Sequence, residues 1–277
     1  MKPSLICALL FSLLLVNGNA HSQSHLVKIW ETDTLLKVPE SVLFDAGRAV
    51  LFTSNIDGQS WEKDGMGSIG KVGLDGKIIA SEWVTGLNAP KGMGIHAGKL
   101  YVADIDMVAV IDIDGGRIVD HIAVPGATGL NDISVDAKGV IYVSDSKTKK
   151  IHKIENGKPS TLLENLEGPN GVLMVGSKLY LTNAGGLYRM ESSGSLTKIT
   201  DGMDGGTDGI QTTGNGEFIV SCWAGSIWYV RADGTKEHLL DTREEKINSA
   251  DIGYDPVHKI VYVPTFYKNN IVAYSLK

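Results

Sequence analysis

The chain has 277 residues and a formal net charge of −6, with 26 Lys and Arg against 32 Asp and Glu. No basic run offers the cationic surface that a phosphate backbone requires, so the sequence argues against nucleic acid as a partner. Hydrophobic residues make up 43% of the chain, enough for a large core, and the 33 glycines indicate many tight turns.

The first 20 residues have the pattern of a secretory signal peptide. Lys2 supplies the positive end, residues 5–16 form an apolar stretch, and residues 18–20 (Gly-Asn-Ala) are a cleavage site of small residues. The apolar stretch is shorter than the roughly 20 residues that span a bilayer. We therefore expect an exported protein, periplasmic or secreted, whose mature chain begins at His21 and is not held in a membrane.

Cys222 is the only cysteine of the predicted mature chain. A disulfide within one chain is therefore not possible, although an exported protein would permit one. Cys222 lies in the apolar run 219–223, and we expect it to be a buried packing residue rather than a nucleophile.

A pair of short strands recurs six times, at intervals of about 40 residues. Each copy begins with an apolar strand, and a second apolar strand follows about ten residues after the head of the first. The heads of the first strands are, in chain order, Glu40, Lys91, Asn131, Asn170, Asp208 and Ala250. The second strands contain residues 50–52, 100–102, 141–143, 179–181, 218–220 and 261–263.

A period of this length built from short strands is typical of the blades of a propeller. We predict an all-β, six-bladed β-propeller in which residues 21–277 form a single domain after the signal peptide 1–20. Patterns with helical periodicity are almost absent. Segments 26–30 and 270–276 are both strand-like, and we expect them to pair and close the ring.

Blade one is longer than the others because of an insertion at residues 55–67, between its second and third strands. We expect this loop to overhang the mouth of the channel on the side of the strand heads. It contains Asn55, Asp57, Trp61 and Asp64. This composition suits either a lid that contacts substrate or a solvated loop, and the sequence leaves both interpretations open.

Four of the six strand heads carry an oxygen side chain, namely Glu40, Asn131, Asn170 and Asp208. The innermost strand of every blade lines the axis, so equivalent positions converge in the channel. Two carboxylates and two amide oxygens suit a hard divalent cation. This set favours Ca²⁺, with Mg²⁺, Mn²⁺ and Zn²⁺ as alternatives. Any one of these residues could instead bond the local backbone, but four in register favour a metal site.

Other residues at or beside the heads have more than one interpretation. Lys91 could bind a substrate carboxylate or a developing oxyanion, or pair with a neighbouring carboxylate. Asp132 and Asp251 lie one residue after their heads and should point away from the ring. They could hold a second ion, although we expect a salt bridge. Gly171 and Gly209, at the same offset, indicate close packing of the backbone.

At these residues the chain resembles the senescence marker protein and gluconolactonase family of six-bladed propellers, which has kin in the diisopropylfluorophosphatases and paraoxonases. The best matches are residues 168–171 (Gly-Pro-Asn-Gly), 207–209 (Thr-Asp-Gly), 218–223 (Phe-Ile-Val-Ser-Cys-Trp) and 130–132 (Leu-Asn-Asp). The resemblance implies a catalytic Ca²⁺ or similar ion at the channel mouth, with ligands at Glu40, Asn131, Asn170 and Asp208.

The chain also departs from these families. Glu40 is followed by Ser-Val-Leu-Phe where the gluconolactonase pattern has Gly-Pro-x-Trp, and an Arg-x-Asn sugar-binding element before Asn131 is missing. Lys91 lies where paraoxonases place a histidine, and Tyr267 lies where the phosphatases have a histidine in the channel.

From the residues and the resemblance together, we expect a metal-dependent hydrolase that acts on a small-molecule lactone or related ester at the channel mouth. The ion would polarise the carbonyl group. Asp208 would be the general base or the nucleophile, Lys91 would contact developing negative charge, and Glu40 would be a plain ligand. The alternative is a non-catalytic propeller that binds a ligand or a protein and uses the ion only to stiffen its channel.

Overall fold

The structure is a computed structural model that describes residues 25–204 and 206–277, so the predicted signal peptide lies outside the described residues. Over these ranges, 24 strands form six four-stranded antiparallel sheets, and the only helix is a 3-10 turn at Phe266–Lys268. The sheets are the blades of a six-bladed β-propeller, which confirms the fold predicted from the sequence. No helix in the described ranges is long and apolar enough to cross a membrane.

Strand β1 (Leu26–Glu31) belongs to the last blade, and the first three blades then follow in chain order. Blade one consists of β2 (Pro39–Asp45), β3 (Val50–Asn55), β4 (Gly67–Gly73) and β5 (Ile78–Leu87). Blade two consists of β6 (Pro90–His96), β7 (Lys99–Asp104), β8 (Met107–Asp112) and β9 (Arg117–Ala123). Blade three consists of β10 (Leu130–Val135), β11 (Ile141–Asp145), β12 (Lys150–Glu155) and β13 (Lys158–Leu163).

The last three blades have the same order of strands, except that the final blade borrows β1. Blade four consists of β14 (Pro169–Val175), β15 (Lys178–Asn183), β16 (Gly186–Met190) and β17 (Leu196–Thr200). Blade five consists of β18 (Thr207–Gly214), β19 (Glu217–Cys222), β20 (Ser226–Val230) and β21 (Lys236–Asp241). Blade six consists of β22 (Gly253–Asp255), β23 (Ile260–Pro264), β24 (Ile271–Leu276) and β1.

The two ends of the described chain close the ring. Strand β1 pairs antiparallel with β24, and Leu26 lies opposite Leu276. The ring of Trp30 packs 5.8 Å from the ring of Tyr262, between their centroids, so the closing strand is also held by side chains. The closure predicted from the sequence is therefore confirmed.

The core lies between neighbouring blades rather than at one centre. One cluster joins Phe52 and Ile69 of blade one to Met93 and Leu100 of blade two. Cys222 is fully buried in the cluster between blades four and five. Burial raises the pKa of its thiol to about 12, which fits the packing role expected from the sequence.

A β-bulge lies at the head of the innermost strand in each of the first five blades. In blade three, Leu130 pairs with Asp145 and Ile133 pairs with Val143, so two residues of β10 face one residue of β11. A bulge bends its strand and changes the direction of the side chains beside it. Blade six differs, because Asp251 precedes β22 and makes only an isolated bridge to blade one.

The innermost strands approach each other closely beside the bulges. A methyl group at Gly171 would clash with the backbone oxygen of Asp208, and one at Gly209 would clash with the carboxylate of Asp251. Both glycines are therefore required by the contact between adjacent blades. This confirms the close packing that the sequence predicted at these two positions.

We expect Gly171→Ala to lower the free energy of unfolding by about 1–3 kcal/mol, because the added methyl group forces the strands apart. Gly168→Ala is the matched control, since the nearest atom to its added methyl group lies 3.8 Å away. Urea denaturation of both variants makes the comparison. Equal stability of the two variants would contradict the steric explanation.

Candidate functional site

A cavity of about 230 Å³ lies at the end of the channel where the strand heads meet. Its polar wall consists of Glu40, Lys91, Asn131, Asn170 and Asp208. The structure therefore brings together the four oxygen side chains and the lysine that the sequence singled out. Because each comes from a different blade, only closure of the propeller makes them neighbours.

Three oxygen atoms of this wall are buried and have no hydrogen-bond partner, namely Glu40 Oε2, Asn170 Oδ1 and Asp208 Oδ1. Buried polar atoms are nearly always partnered, and those that are not call for an explanation such as an ion. The Asn131 Nδ2 group donates to Ser146 Oγ at 3.1 Å, which leaves its Oδ1 available to a ligand. Two carboxylates and two amide oxygens fit a hard divalent cation.

This donor set contains only two carboxylates. Within the described ranges, no group of three or more His, Cys, Asp and Glu side chains is placed to hold a metal ion. A site at the strand heads would depend on amide oxygens for half of its protein ligands, as hard cations accept.

Burial shifts the ionisation of every charged group in the wall. It raises the pKa of Glu40 to about 7, against the opposing charge of Lys91. It raises the pKa of Asp208 well above the usual range, and the charges of Glu40 and Asp251 add to this effect. Burial lowers the pKa of Lys91, whereas Glu40 and Asp208 raise it. The two carboxylates are thus short of positive charge and favour binding a cation.

Lys91 is buried between a carboxylate and an aromatic ring. Its Nζ lies 3.9 Å from Glu40 Oε1 and 4.3 Å from the centroid of the Trp61 ring. Of the roles that the sequence left open, pairing with a carboxylate is the one that the geometry shows. Lys91 forms its close ion pair with Glu40, and its charge acts on Asp208 from a greater distance.

Hydroxyl groups of the second strands support the bulged heads. In each case a side-chain oxygen accepts a backbone N–H that the bulge removes from the regular ladder. The three bonds run from Ser41 N to Ser54 Oγ at 3.0 Å, from Asp132 N to Ser144 Oγ at 2.9 Å and from Gly209 N to Ser221 Oγ at 2.9 Å.

The last residue of several second strands holds the segment before the strand head. Asp104 accepts the N–H groups of Asn88 and Ala89, Asp145 accepts that of Thr128, and Asn183 accepts those of Glu167 and Gly168. These supports were not predicted from the sequence. A sequence pattern could have predicted two of them, namely a pair of polar residues directly after the apolar triplet of the second strand, as in Ser144-Asp145 and Thr182-Asn183.

Asp132 and Asp251 point away from the ring of heads. They line a second cavity of about 180 Å³ along the channel. Asp132 Oδ2 accepts the N–H of Val172 at 2.7 Å, and Asp251 Oδ2 accepts the hydroxyl of Ser41 at 2.5 Å. No Lys or Arg among the described residues lies within ion-pair distance of either carboxylate, so the expected salt bridge is wrong. Burial raises the pKa of Asp251 to about 7.

The loop at residues 55–67 reaches the mouth of the cavity. Ser60 and Trp61 line the cavity, whereas Asp57 forms an ion pair with Lys37 at 2.7 Å. The Nζ atom of Lys147 lies 4.7 Å from the Trp61 ring centroid, so two lysines hold this ring. Of the four loop residues that the sequence singled out, Trp61 alone lines the cavity.

The remaining wall of the cavity is aromatic. It consists of Trp223, Phe266 and Tyr267, together with Gly206. The sequence placed Tyr267 at the channel but gave no sign that Trp223 or Phe266 belongs to the site. No histidine among the described residues lines the cavity.

Comparison with known proteins finds similarity of fold. No protein-family model matches the chain, and no curated protein matches it in sequence. A gluconolactonase from Xanthomonas campestris has a TM-score of 0.68 at 15% identity, with 88% of each chain covered. A protein proposed to be a gluconolactonase has a TM-score of 0.68 at 13% identity, with 93% of each chain covered.

A further structure is a catalytically inactive variant of virginiamycin B lyase from Staphylococcus aureus, in which alanine replaces a histidine, solved with quinupristin. Its TM-score is 0.64 at 15% identity, with 92% of this chain and 99% of that chain covered. At these identities the comparison shows the fold alone. The chain thus shares its propeller fold with these proteins, as the resemblance seen in the sequence implies.

We expect Asp145→Asn to lower the free energy of unfolding by about 2 kcal/mol at pH 7. Burial alone would raise the pKa of Asp145, but the His152 imidazole and the N–H groups of Thr148 and Thr128 lower it to about 2. Because the folded pKa lies below the unfolded one, the ionised form stabilises the fold. This stabilisation is fully present above pH 3.8 and is lost as the pH falls to about 2.

Urea denaturation between pH 7 and pH 3 measures this difference between Asp145→Asn and the wild type. The difference should be constant from pH 7 to pH 5 and should shrink below pH 4. A difference that does not change with pH would show that the Asp145 charge plays no part.

In the presence of a chelator, we expect Asp208→Asn to raise the melting temperature. Burial and the charge of Glu40 disfavour the ionised Asp208, and the amide removes that charge. Asp120→Asn, at an exposed position of β9, is the control and should leave the melting temperature unchanged. A lower melting temperature for Asp208→Asn would contradict the electrostatic account of the wall.

Proposed function

We propose that the protein is a Ca²⁺-dependent hydrolase that opens a lactone or a related ester at the channel mouth. The observation that carries the proposal is the group of buried oxygens of Glu40, Asn170 and Asp208 that have no hydrogen-bond partner and face one cavity. The gluconolactonase-like fold supports the class of reaction. The assignment of the metal and its ligands is supported by the types of side chain in the polar wall.

Glu40, Asn131, Asn170 and Asp208 would hold the cation through their side-chain oxygens. A bound Ca²⁺ would polarise the substrate carbonyl and stabilise the negative charge that develops on its oxygen. Export, which residues 1–20 predict, would place the site where Ca²⁺ is plentiful. The ring of Trp61 and the neighbouring aromatic wall would exclude water from the part of the cavity beside the substrate.

Asp208 is the candidate base. Its Oδ1 atom has no hydrogen-bond partner, and no basic side chain of the described residues pairs with it. Glu40 is less suited to this role because Lys91 lies beside it. Direct attack by Asp208 on the acyl carbon is the alternative within the same reaction class.

Lys91 has two consequences for such a reaction. Its buried ammonium group reduces the negative charge that a bound substrate and its carboxylate product would meet. It is also fixed by the contact with Trp61, so it requires little rearrangement during turnover. We assign it the stabilisation of developing negative charge.

A lyase reaction is not proposed. The inactive variant of virginiamycin B lyase carries alanine in place of a histidine. No histidine among the described residues lines the present cavity.

A second candidate function is a non-catalytic propeller in which the ion stiffens the channel. The observation that favours it is the contact of Lys91 with Glu40, which already compensates part of the buried charge. The same fold supports many functions, so the fold does not decide between the two candidates.

Calorimetric titration with Ca²⁺ tests the metal site, and hydrolysis assays on lactones and aryl esters test the reaction. We expect one ion per chain, and we expect Asn170→Ala to weaken binding by about 10- to 100-fold. Asp208→Asn should lower kcat by about 10²- to 10⁴-fold while the protein stays folded. Asp120→Asn, at the exposed position on β9, is the control for both assays.

The outcomes separate the two candidates. Binding of Ca²⁺ without turnover of any lactone or ester favours the stiffened, non-catalytic channel. Full turnover by Asp208→Asn would overturn its assignment as base or nucleophile. Absence of binding by any divalent cation would overturn the metal site itself.

A further inference from the structure

One side of the cavity is a wall of large aromatic side chains. Trp61 approaches from the loop of blade one, and Trp223, Phe266 and Tyr267 approach from blades five and six. The proposed metal ligands do not account for these four residues. Their arrangement is the strongest feature of the cavity that the reaction class leaves unexplained.

The rings of Trp223, Phe266 and Tyr267 contact one another. The ring of Phe266 meets the rings of Trp223 and Tyr267 edge to face, at centroid distances of 5.6 Å and 4.7 Å. The Thr265 hydroxyl donates to the carbonyl oxygen of Asn270 at 2.9 Å and closes the base of this turn. Aromatic groups that are held in place before binding lose little entropy when a ligand arrives.

The backbone conformation of Phe266 also indicates a binding site. Phe266 has a φ of 52°, in the left-handed region that bulky residues rarely adopt. Such strain persists only where the surrounding structure fixes it, and it is concentrated at binding and catalytic sites. Here the strained residue, Phe266, and its neighbour Tyr267 both line the cavity.

Two rings of the wall are exposed although they are large and apolar. Trp223 is 40% exposed and Tyr267 is 64% exposed. Exposed aromatic surface beside a cavity gains free energy when a ligand covers it, and flat rings gain most from a flat partner. The mouth of the cavity therefore offers a stacking surface.

Few groups in the cavity could bind hydroxyls. Apart from the four oxygen side chains of the ring, the lining side chains offer the Ser60 and Tyr267 hydroxyls, the indole N–H groups of Trp61 and Trp223, and the Lys91 ammonium. The ring oxygens are assigned to the ion and Lys91 to the developing negative charge, so neither is free for the remaining hydroxyl groups of a substrate. A polyol that lies across the aromatic faces would bury hydroxyl groups against apolar surface, which weakens binding.

We propose that the substrate of this site is a lactone or ester that carries a planar aromatic group, stacked on the ring of Trp223. Because the planes of the Trp223 and Tyr267 rings lie 83° apart, the same group would meet Tyr267 edge to face. The inference rests on the proposed function and adds the substrate class. In the reaction, water adds to the acyl carbon and the acyl C–O bond breaks. An ester gives a carboxylate and a phenol or alcohol, a lactone gives one product that carries both groups, and one proton is released in either case.

Three lactones with six-membered rings test the selectivity. They are dihydrocoumarin, δ-valerolactone and glucono-δ-lactone, and each rate is corrected for spontaneous hydrolysis. Because dihydrocoumarin also has the better leaving group, a phenol, the test compares the effect of each substitution on each lactone and not the rates of the three lactones. In the Ca²⁺-loaded protein, we expect Trp223→Ala to lower kcat/KM for dihydrocoumarin at least about tenfold more than for δ-valerolactone. Tyr267→Ala should act in the same direction, and its exposed position keeps the risk of misfolding small.

A binding measurement separates this inference from the proposed reaction. Dihydroquinolinone and δ-valerolactam are the unreactive lactam counterparts of the aromatic and aliphatic lactones. Calorimetry should show tighter binding of the aromatic lactam by at least about tenfold, and Trp223→Ala should remove the difference. Trp228→Ala is the matched control, because Trp228 is also in blade five but packs on His238 at 3.6 Å, outside the cavity lining.

Each outcome decides one of the two claims. Selective binding of the aromatic lactam without hydrolysis of any lactone would support the aromatic site and overturn the proposed reaction. Hydrolysis with equal effects of Trp223→Ala on dihydrocoumarin and δ-valerolactone would leave the reaction standing and overturn the aromatic preference. Efficient turnover of glucono-δ-lactone, unaffected by Trp223→Ala and Tyr267→Ala, would also overturn it.

Discussion

The bulge at the head of the innermost strands is the constraint on which the candidate site depends. A regular strand sends alternate side chains to opposite faces of its sheet. One extra residue breaks this alternation and leaves a backbone N–H without its ladder partner. Hydroxyl groups such as Ser144 and Ser221 accept these N–H groups, so the distortion is supported from the second strand. Because five blades repeat the device, side chains from distant parts of the chain converge on one cavity.

The converging side chains are unfavourable for the fold by themselves. Burial raises the pKa of both Glu40 and Asp208, the charge of Glu40 raises that of Asp208 further, and one lysine compensates them only in part. Natural proteins tolerate such groups chiefly where function requires them. The polar supports around the ring, including Asp145, hold this arrangement against its own repulsion. The buried charge of the site therefore lowers the stability of the scaffold.

The two halves of the cavity have different origins. The polar ring comes from equivalent positions of the repeat, whereas the aromatic wall comes from parts of the chain that do not repeat. Trp61 belongs to an insertion, and Phe266 and Tyr267 belong to the one 3-10 turn of the described residues. A repeated scaffold can thus keep a reaction centre while irregular segments adapt the surface that meets the substrate.

The sequence by itself determined the six-bladed fold, the closure by β1 and β24, and the identity of the oxygen side chains that meet in the channel. Period and alternation are local properties of the chain, and the symmetry of a ring converts equal positions into neighbours. Only the tertiary structure decided that Lys91 pairs with Glu40, that Asp132 and Asp251 form no salt bridge, and that Trp223 and Phe266 face the cavity. These contacts join segments far apart in the chain, and their direction depends on bulges and turns that no local pattern fixes.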